Sequence, residues 1–442
     1  MTVPLNNLYH FVQGLLELPA MFYLFAPHGS RKISNLQPLS MFEEPDNVIL
    51  PNVICHDQEP LNWLRYQDDQ ADVINFKQQL DKHCQDIIGL DSFLAPSNQN
   101  LDVALNWYAG VPIYDNTVLL HSEQNSQDLK LYQQAGFIPS YYWSHAFIAR
   151  DWYRYAEHDI RLQPKEIRRK FLIYSRGWSN TREYRLKFAE LLLRNKLDED
   201  SFISMLDIDG GVDRNNHIFL NPELQVYTDL SVIPDTSATS DASADYAPDD
   251  FTHTLCSVVL ETEFDGPRIH LTEKTLRPIA CAHPFILAAG QYSLRYLKNY
   301  GFETFSPWID ESYDEEPDSL VRLAKICSAM KKIQQLEGNQ LATWRKEVRL
   351  IAERNQRRFF SKGFFLYLQL EMSTNINAAV AKAYQSQGRK YLAHRKTLRQ
   401  QRPIGYEDYL RRPNHVAKLR QLRQLRSQAH KHQTNLGLDP LP

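Results

Sequence analysis

Between the strand-like run Ser257 to Glu261 and the apolar run Pro284 to Ala289, the chain reads Leu271-Thr272-Glu273-Lys274-Thr275-Leu276-Arg277-Pro278. This stretch constrains the fold most tightly. Thr272, followed by an acid, a base and then apolar residues, has the form of a helix start with Thr272 as its N-cap. Strand, helix and strand in succession is the repeating unit of an open α/β sheet. Helix starts in such sheets favour anions, through backbone N–H groups and the helix dipole. The pattern predicts that Glu273 accepts from ribose hydroxyls and that Lys274 faces a diphosphate. The competing reading is a surface helix with an ordinary capping turn.

The same alternation recurs along the chain. Leu8 to Phe25 reads as a core helix and strand. Val48 to Cys55 is strand-like, Val73 to Ile88 has helical spacing, and Ser92 to Pro96 and Val118 to His121 look extended. A second α/β unit begins at Lys170. Phe171 to Ser175 is a buried-type strand, Arg176 to Asn180 a turn, and Thr181 to Asn195 a helix. Asp198 to Leu206 reads as helix or strand, and a helix is expected over Ser293 to Tyr300. Asp235 to Asp250, rich in Ser, Thr, Ala and Asp, reads as a flexible surface loop. Long helices are expected over Gln334 to Gln385. The expected organisation is an N-terminal α/β domain over 1–160, with Tyr141 to Asp159 as the passage out of it. A second α/β domain follows over 161–340, then helices over 341–385 and a basic tail over 386–442.

At 442 residues the chain is too long for one ordinary core. Its five cysteines are scattered, odd in number and without CxxC spacing, which argues against a disulfide framework or zinc site and for a reducing compartment. The apolar stretch from Leu8 to Phe25 is broken by Gln13, Glu17 and Pro19, so neither a signal peptide nor a membrane span is expected there. Charge is unevenly spread. Lys382 to Lys431 holds fourteen Lys or Arg against two acids, a surplus of twelve that leaves the rest at −15 within a total of −3. A basic tail on an acidic body points to a polyanion or an anionic membrane surface.

Three basic residues, Arg176, Arg182 and Arg185, lie just past the strand Phe171 to Ser175. Ligands of open α/β sheets bind outside the carboxyl ends of strands. Arginine suits a diphosphate because its planar fork donates two bonds at once. Solvated helix charges are the competing reading for Arg182 and Arg185.

Phe171 to Ser204, FLIYSRGWSNTREYRLKFAELLLRNKLDEDSFIS, resembles the strand, Ser-Arg turn and Arg-bearing helix that open the donor domain of α1,3-fucosyltransferase-like enzymes. Ser257 to Gly290, SVVLETEFDGPRIHLTEKTLRPIACAHPFILAAG, resembles their acidic strand end, Thr-Glu-Lys helix and following strand. The resemblance covers about a quarter of the chain. It implies a GT-B fold, two Rossmann-like domains facing a cleft, and inverting transfer of a sugar from a nucleotide diphosphate donor, a GDP-sugar being favoured. It also implies Glu261 at the acidic strand end, Glu273 on the ribose, and Lys274 and Arg176 on the diphosphate. The chain departs at Glu261-Thr262-Glu263, where the family has Glu-Asn-Ser, and in a longer spacing from Glu261 to Glu273. Both departures bear on the sugar and base more than on the fold.

The acceptor and general base then fall to the first unit. His56-Asp57-Gln58-Glu59-Pro60 follows the strand Val48 to Cys55 and resembles the family's Glu-bearing strand end. A carboxylate there would take the acceptor's proton as the new C–O bond forms. Glu59 is the first choice and Asp57 the second, with Glu123 of His121-Ser122-Glu123 an independent candidate. Each is equally readable as a strand-end acid that caps the next helix. His145 and Arg150 read as cleft residues or, more simply, as packed side chains. Lys274, Arg176 and the helix start at Thr272 would stabilise the leaving diphosphate, so no cofactor or divalent ion is expected to be obligatory. The competing sign is Asp207-Ile208-Asp209, a DxD pattern able to hold a metal–nucleotide.

Leu419, Leu422 and Leu425, interleaved with Arg420, Arg423 and Arg426, form a short basic amphipathic pattern. It resembles the tails of some bacterial fucosyltransferases, which implies a cytoplasmic protein attached to the inner face of the membrane. A solvated tail is the competing reading. The expected partners are a nucleotide-sugar donor and a glycan or glycoconjugate acceptor. Two rival functions are a nucleic-acid-binding protein acting through the tail, disfavoured by the lack of a reading motif, and a GT-B scaffold without turnover.

Overall fold

The computed structural model describes residues 3, 8–18, 20–25, 36–40, 51–56, 117–134, 137–163, 165–233 and 243–395. These form a mixed α/β protein whose two larger sheets are built mainly from parallel strands. Contacts divide them into two units, residues 145–366 and residues 8–144 with 367–395.

In the latter unit, helix α1 (Leu8–Gly14) precedes strands β1 (Met21–Phe25), β2 (Leu36–Ser40), β3 (Asn52–His56) and β4 (Thr117–His121). Helix α2 (Gln127–Gln134) then leads to β5 (Ile138–Tyr141). The sheet order is β2-β1-β3-β4-β5, with only β2 antiparallel. All five residues of β4 are buried, as in a parallel strand covered on both faces. Asn377 secures the end of α1, accepting from the Glu17 N–H at 2.7 Å and donating to the Leu15 carbonyl at 3.0 Å.

Helix α3 (Ser144–Trp152) opens the other unit. The boundary at 144/145 lies within the aromatic, charged segment from Tyr141 to Asp159. Strand β6 (Arg169–Ser175), a 3₁₀ turn (Asn180–Arg182) and helix α4 (Tyr184–Arg194) follow, then β7 (Ser201–Met205) and the small hairpin β8 (Ile208–Asp209) and β9 (Val212–Asp213). Next come α5 (Pro248–Thr252), β10 (Thr254–Leu260), α6 (Glu273–Ala280), β11 (Phe285–Ala288) and α7 (Ser293–Asn299). Three long helices complete the description: α8 (Ser319–Gln334), α9 (Gly338–Phe360) and α10 (Lys362–Arg395). The helices expected over 341–385 fall within α9 and α10, and α10 passes from one unit to the other at 366/367.

The second sheet runs β11-β10-β6-β7, all parallel. Every residue of β10 and β11 is buried. The chain leaves β6 for β7 on one side, then returns to β10 on the other side of β6. Strand order therefore reverses between β6 and β10, the crevice where doubly wound sheets bind ligands.

Several expectations take a definite form here. The Asp198 to Leu206 segment is a 3₁₀ turn followed by a strand, since Ser201–Met205 pairs with Phe171–Ser175. Gly210 and Gly211 turn the β8–β9 hairpin, both with the positive φ such a turn requires (61° and 82°). The end of the expected loop over Asp235 to Asp250 is helical instead, because Pro248 opens α5 at its first turn. Residues 234–242 and the stretches around Val73 to Ile88 and Ser92 to Pro96 lie outside the described residues, as does the tail beyond Arg395. Cys55, Cys256, Cys281 and Cys327 are buried and unbridged. Among the described residues, no helix is long and apolar enough to cross a membrane.

Candidate functional site

Two segments meet at the reversal between β6 and β10: the loop after β6, and the stretch from the end of β10 into α6. Thr272 has extended backbone (φ −109°, ψ −168°), and its Oγ1 accepts from the Lys274 N–H at 3.3 Å. It is the N-cap the sequence predicts. The carboxylate of Glu261, fully buried just past β10, accepts from Thr272 N (2.9 Å), Thr272 Oγ1 (2.7 Å), Thr275 N (3.2 Å) and Thr275 Oγ1 (2.5 Å). An anion at a helix start is favoured by the dipole, and each charge-assisted bond is stronger than a neutral one. Glu261 is thus a brace that ties β10 to α6.

The brace changes the expected anion site. The N–H groups of Lys274, Thr275 and Leu276 are taken by Thr272 Oγ1, by Glu261 and by the Thr272 carbonyl respectively. The first turn therefore does not offer an open amide cradle with Thr272 as a phosphate contact. Positive charge at this end of the sheet comes from side chains.

Glu273 and Lys274 supply opposite charges side by side. The Lys274 ammonium donates to Glu273 Oε1 at 3.1 Å, Thr272 Oγ1 at 3.2 Å and Thr262 Oγ1 at 3.3 Å, with 31% of its side chain exposed. The other Glu273 oxygen, Oε2, lies 3.4 Å from His145 Nδ1. Burial alone would raise the Glu273 pKa, but the charges of Lys274, His145 and Arg277 hold it well below the usual carboxylate range. Glu273 is therefore an acceptor-only group, suited to hydroxyl donors. The His145 ring stands edge-on to His270 at 5.3 Å.

The loop after β6 is held from below. Asp209 accepts from the Trp178 and Ser179 N–H groups at 2.7 and 2.8 Å, and the Trp178 indole donates to the Leu206 carbonyl at 2.9 Å. Burial would raise the Asp209 pKa, yet bonds from Ser179 and Trp178 and the charge of Arg182 keep it low. A Cβ on Gly177 would come within 3.2 Å of Asp209 Oδ2 and 3.3 Å of Arg182 Nη1, so these two side-chain ends would have to give by a few tenths of an ångström. Asp207 pairs with Arg214 at 2.8 Å. Both carboxylates of the DxD pattern are thus engaged within the protein. Among the described residues, no group of three or more His, Cys, Asp or Glu is arranged to hold a metal ion.

The three expected arginines separate by position. Arg176 is exposed beyond the end of β6, and Arg182, half-buried, donates to the Ser179 carbonyl at 3.4 Å. Arg185 is buried. Its guanidinium donates to the carbonyls of Gly177, Leu260 (2.7 Å) and Glu261 (2.9 Å), so it joins the loop to the end of β10. Tyr184 OH reinforces it, donating to the Glu261 carbonyl at 2.6 Å. Thr262 links the two sides: its carbonyl accepts from Thr181 Oγ1 at 3.2 Å and its hydroxyl from Lys274. The structure thus brings Glu273, Lys274, Thr262 and the Arg182 loop to one edge, with Glu261 and Arg185 supporting them.

Sequence reasoning missed Thr262, His270 and the bracing by Glu261, and left His145 between a cleft residue and a packed side chain. Partners eleven and fourteen residues from Glu261 leave no local signal. On the acceptor side, Glu123 is buried just past β4, where its N–H donates to His121 Nδ1 at 3.3 Å. Glu59 and Asp57 lie outside the described residues. No family model, curated protein or solved structure matches the chain.

Proposed function

We propose that this protein is a glycosyltransferase that moves a sugar from a nucleotide diphosphate donor to a hydroxyl of a glycan-type acceptor. The observation that carries this reading is the Glu273–Lys274 pair at the strand-order reversal, beside Thr262 and below the Arg176–Arg182 loop. A buried carboxylate that stays ionised beside a partly exposed ammonium matches the two ends of a nucleoside diphosphate, ribose hydroxyls and phosphate oxygens. The family resemblance adds the GT-B arrangement and inversion, with a GDP-sugar as the favoured donor.

In this mechanism Glu273 binds the ribose while Lys274, Arg176 and Arg182 stabilise the charge growing on the leaving diphosphate. Glu261 and Arg185 hold these groups in place. A carboxylate of the other unit, Glu59 first, then Asp57 or Glu123, takes the acceptor's proton. No divalent ion is obligatory, since side-chain cations do that work. A cytoplasmic protein with its basic tail on anionic lipid completes the proposal.

The test is release of nucleoside diphosphate from a panel of GDP-, UDP-, ADP- and dTDP-sugars, with EDTA or Mg²⁺. The expected result is metal-independent turnover of one donor class, reduced at least a hundredfold in Lys274→Ala. A chain that neither turns over nor binds any donor would overturn the proposal and move function to the tail.

A further inference from the structure

The ammonium of Lys274 is engaged before any ligand arrives. Its donors face Glu273 Oε1 at 3.1 Å, Thr272 Oγ1 at 3.2 Å and Thr262 Oγ1 at 3.3 Å, which is all that an ammonium can serve. Two of these acceptors are neutral hydroxyls and one is a carboxylate, so the bond to Glu273 is the strong one. The dependence is mutual. Among the described residues, Lys274 is the only hydrogen-bond donor to Glu273 Oε1, while His145 lies against the other oxygen, Oε2, at 3.4 Å. The partners differ in exposure: 31% of the Lys274 side chain meets solvent, against 7% of the Glu273 side chain. A phosphate can therefore reach the ammonium from outside. Whatever draws Lys274 away from Glu273 leaves a buried, ionised carboxylate oxygen without a donor, and breaking a buried pair from one side is strongly unfavourable.

We propose that Glu273 makes phosphate binding at Lys274 conditional on a ribose, so that the site takes nucleoside diphosphates and rejects free diphosphate. The inference rests on the donor-site reading and adds a selectivity to it. A ribose carries hydroxyl donors for Glu273 Oε1, so a nucleoside diphosphate replaces the bond that it removes. Inorganic pyrophosphate brings only acceptors and negative charge. It competes with Glu273 for the ammonium, leaves Oε1 unpaired and stands beside a like charge. Thr272 cannot relieve that loss, because its hydroxyl proton goes to Glu261 Oε2 at 2.7 Å. Selectivity thus comes from a penalty on the wrong ligand as well as from contacts to the right one.

The test is calorimetric titration in EDTA of wild type and Glu273→Gln. The ligands are the nucleoside diphosphate that wild type binds best, its 2′,3′-dideoxy analogue and inorganic pyrophosphate. Wild type should bind the dideoxy analogue at least tenfold more weakly than the ribonucleotide, since a site built for hydroxyls is left unpaired by a ligand that lacks them. A smaller difference overturns the inference, and that comparison decides even where the variant misfolds. In Glu273→Gln, pyrophosphate should bind at least tenfold tighter than to wild type, and the ribonucleotide's advantage over the dideoxy analogue should shrink at least tenfold. Pyrophosphate binding no tighter than to wild type overturns the inference. So does an equal gain for all three ligands, which loss of a nearby negative charge alone would give. Failure of the wild type to bind any nucleoside diphosphate overturns the donor-site reading and this inference together.

Discussion

Glu261→Gln separates the brace from the site it supports. Gln keeps one oxygen, which can still accept from Thr275 N and Oγ1 and from Thr272 N. Its NH₂ takes the place of Oε2, which now accepts from Thr272 Oγ1 at 2.7 Å and from Thr262 N at 3.3 Å. The Thr272 hydroxyl can accept from it only by giving up one of its two bonds from Lys274. The Thr262 N–H cannot, and it meets a second donor. A lost charge at a partly or fully buried helix start costs about 1–2 kcal/mol, and one unmade buried bond about 1 kcal/mol more. The desolvation saved by removing a carboxylate offsets part of this. The net expectation is a loss of about 2 kcal/mol. In a folding unit of 150–250 residues that lowers Tm by about 4–8 °C. Glu261→Ala, which removes all the acceptors, should cost at least twice as much. Thermal unfolding followed by circular dichroism gives the number, and amide exchange shows whether the loss is local to Lys274 and Thr275. Glu261→Gln unfolding within 1 °C of wild type, with those amides equally protected, would refute the brace.

Two buried groups should give opposing pH dependences. Burial pushes His283 down to about 4, against a bond to the Thr254 carbonyl, so its neutral form is favoured in the fold. Its contribution is complete above about pH 6.5 and is lost as pH falls toward 4, by at most about 3 kcal/mol. His283→Gln should remove that acid-side loss in chemical denaturation, and an unchanged slope would count against it. Burial pushes Glu311 up to about 7 despite bonds from Thr304 and the Phe305 N–H, so its protonated form is favoured. Its contribution is present below about pH 4.5 and is lost as pH rises through 7. Glu311→Gln should therefore be more stable than wild type by about 2–3 kcal/mol at pH 8 and equal to it at pH 4. Equal stability at pH 8 would contradict the assignment. The wild-type profile should be flatter than that of either variant, because the two slopes cancel.

The strand–helix–strand succession around Thr272 was legible because each signal is local. A capping Thr, the apolar runs on either side and a parallel strand buried on both faces all lie within a few residues of one another. The Asp198 to Leu206 segment was not decidable from its own residues, and became a strand through its pairing with β6. The helix expected from Thr181 starts at Tyr184. Asn180 has positive φ (59°), and the Thr181 hydroxyl is drawn to the Thr262 carbonyl eighty-one residues away. Roles were harder to read than elements. Arg185 has the spacing of a ligand arginine, yet three backbone carbonyls claim it. The helix start looked like an anion cradle because nothing in the local sequence shows that Glu261 fills it. Glu273 and Lys274 were visible as a charged pair at a helix start, whereas their ties to His145 and Thr262 depend on contacts between distant segments.

Lys274 is proposed to carry the affinity for a nucleotide diphosphate. Calorimetric titration of GDP, UDP, CMP, ADP and dTDP into wild type and Lys274→Ala, with and without Mg²⁺, tests it most directly. The expected result is a metal-independent preference for one nucleoside diphosphate, weakened tenfold or more in the variant, as loss of a charge-assisted contact requires. Equal affinity in the two proteins, or no binding to either, would contradict it.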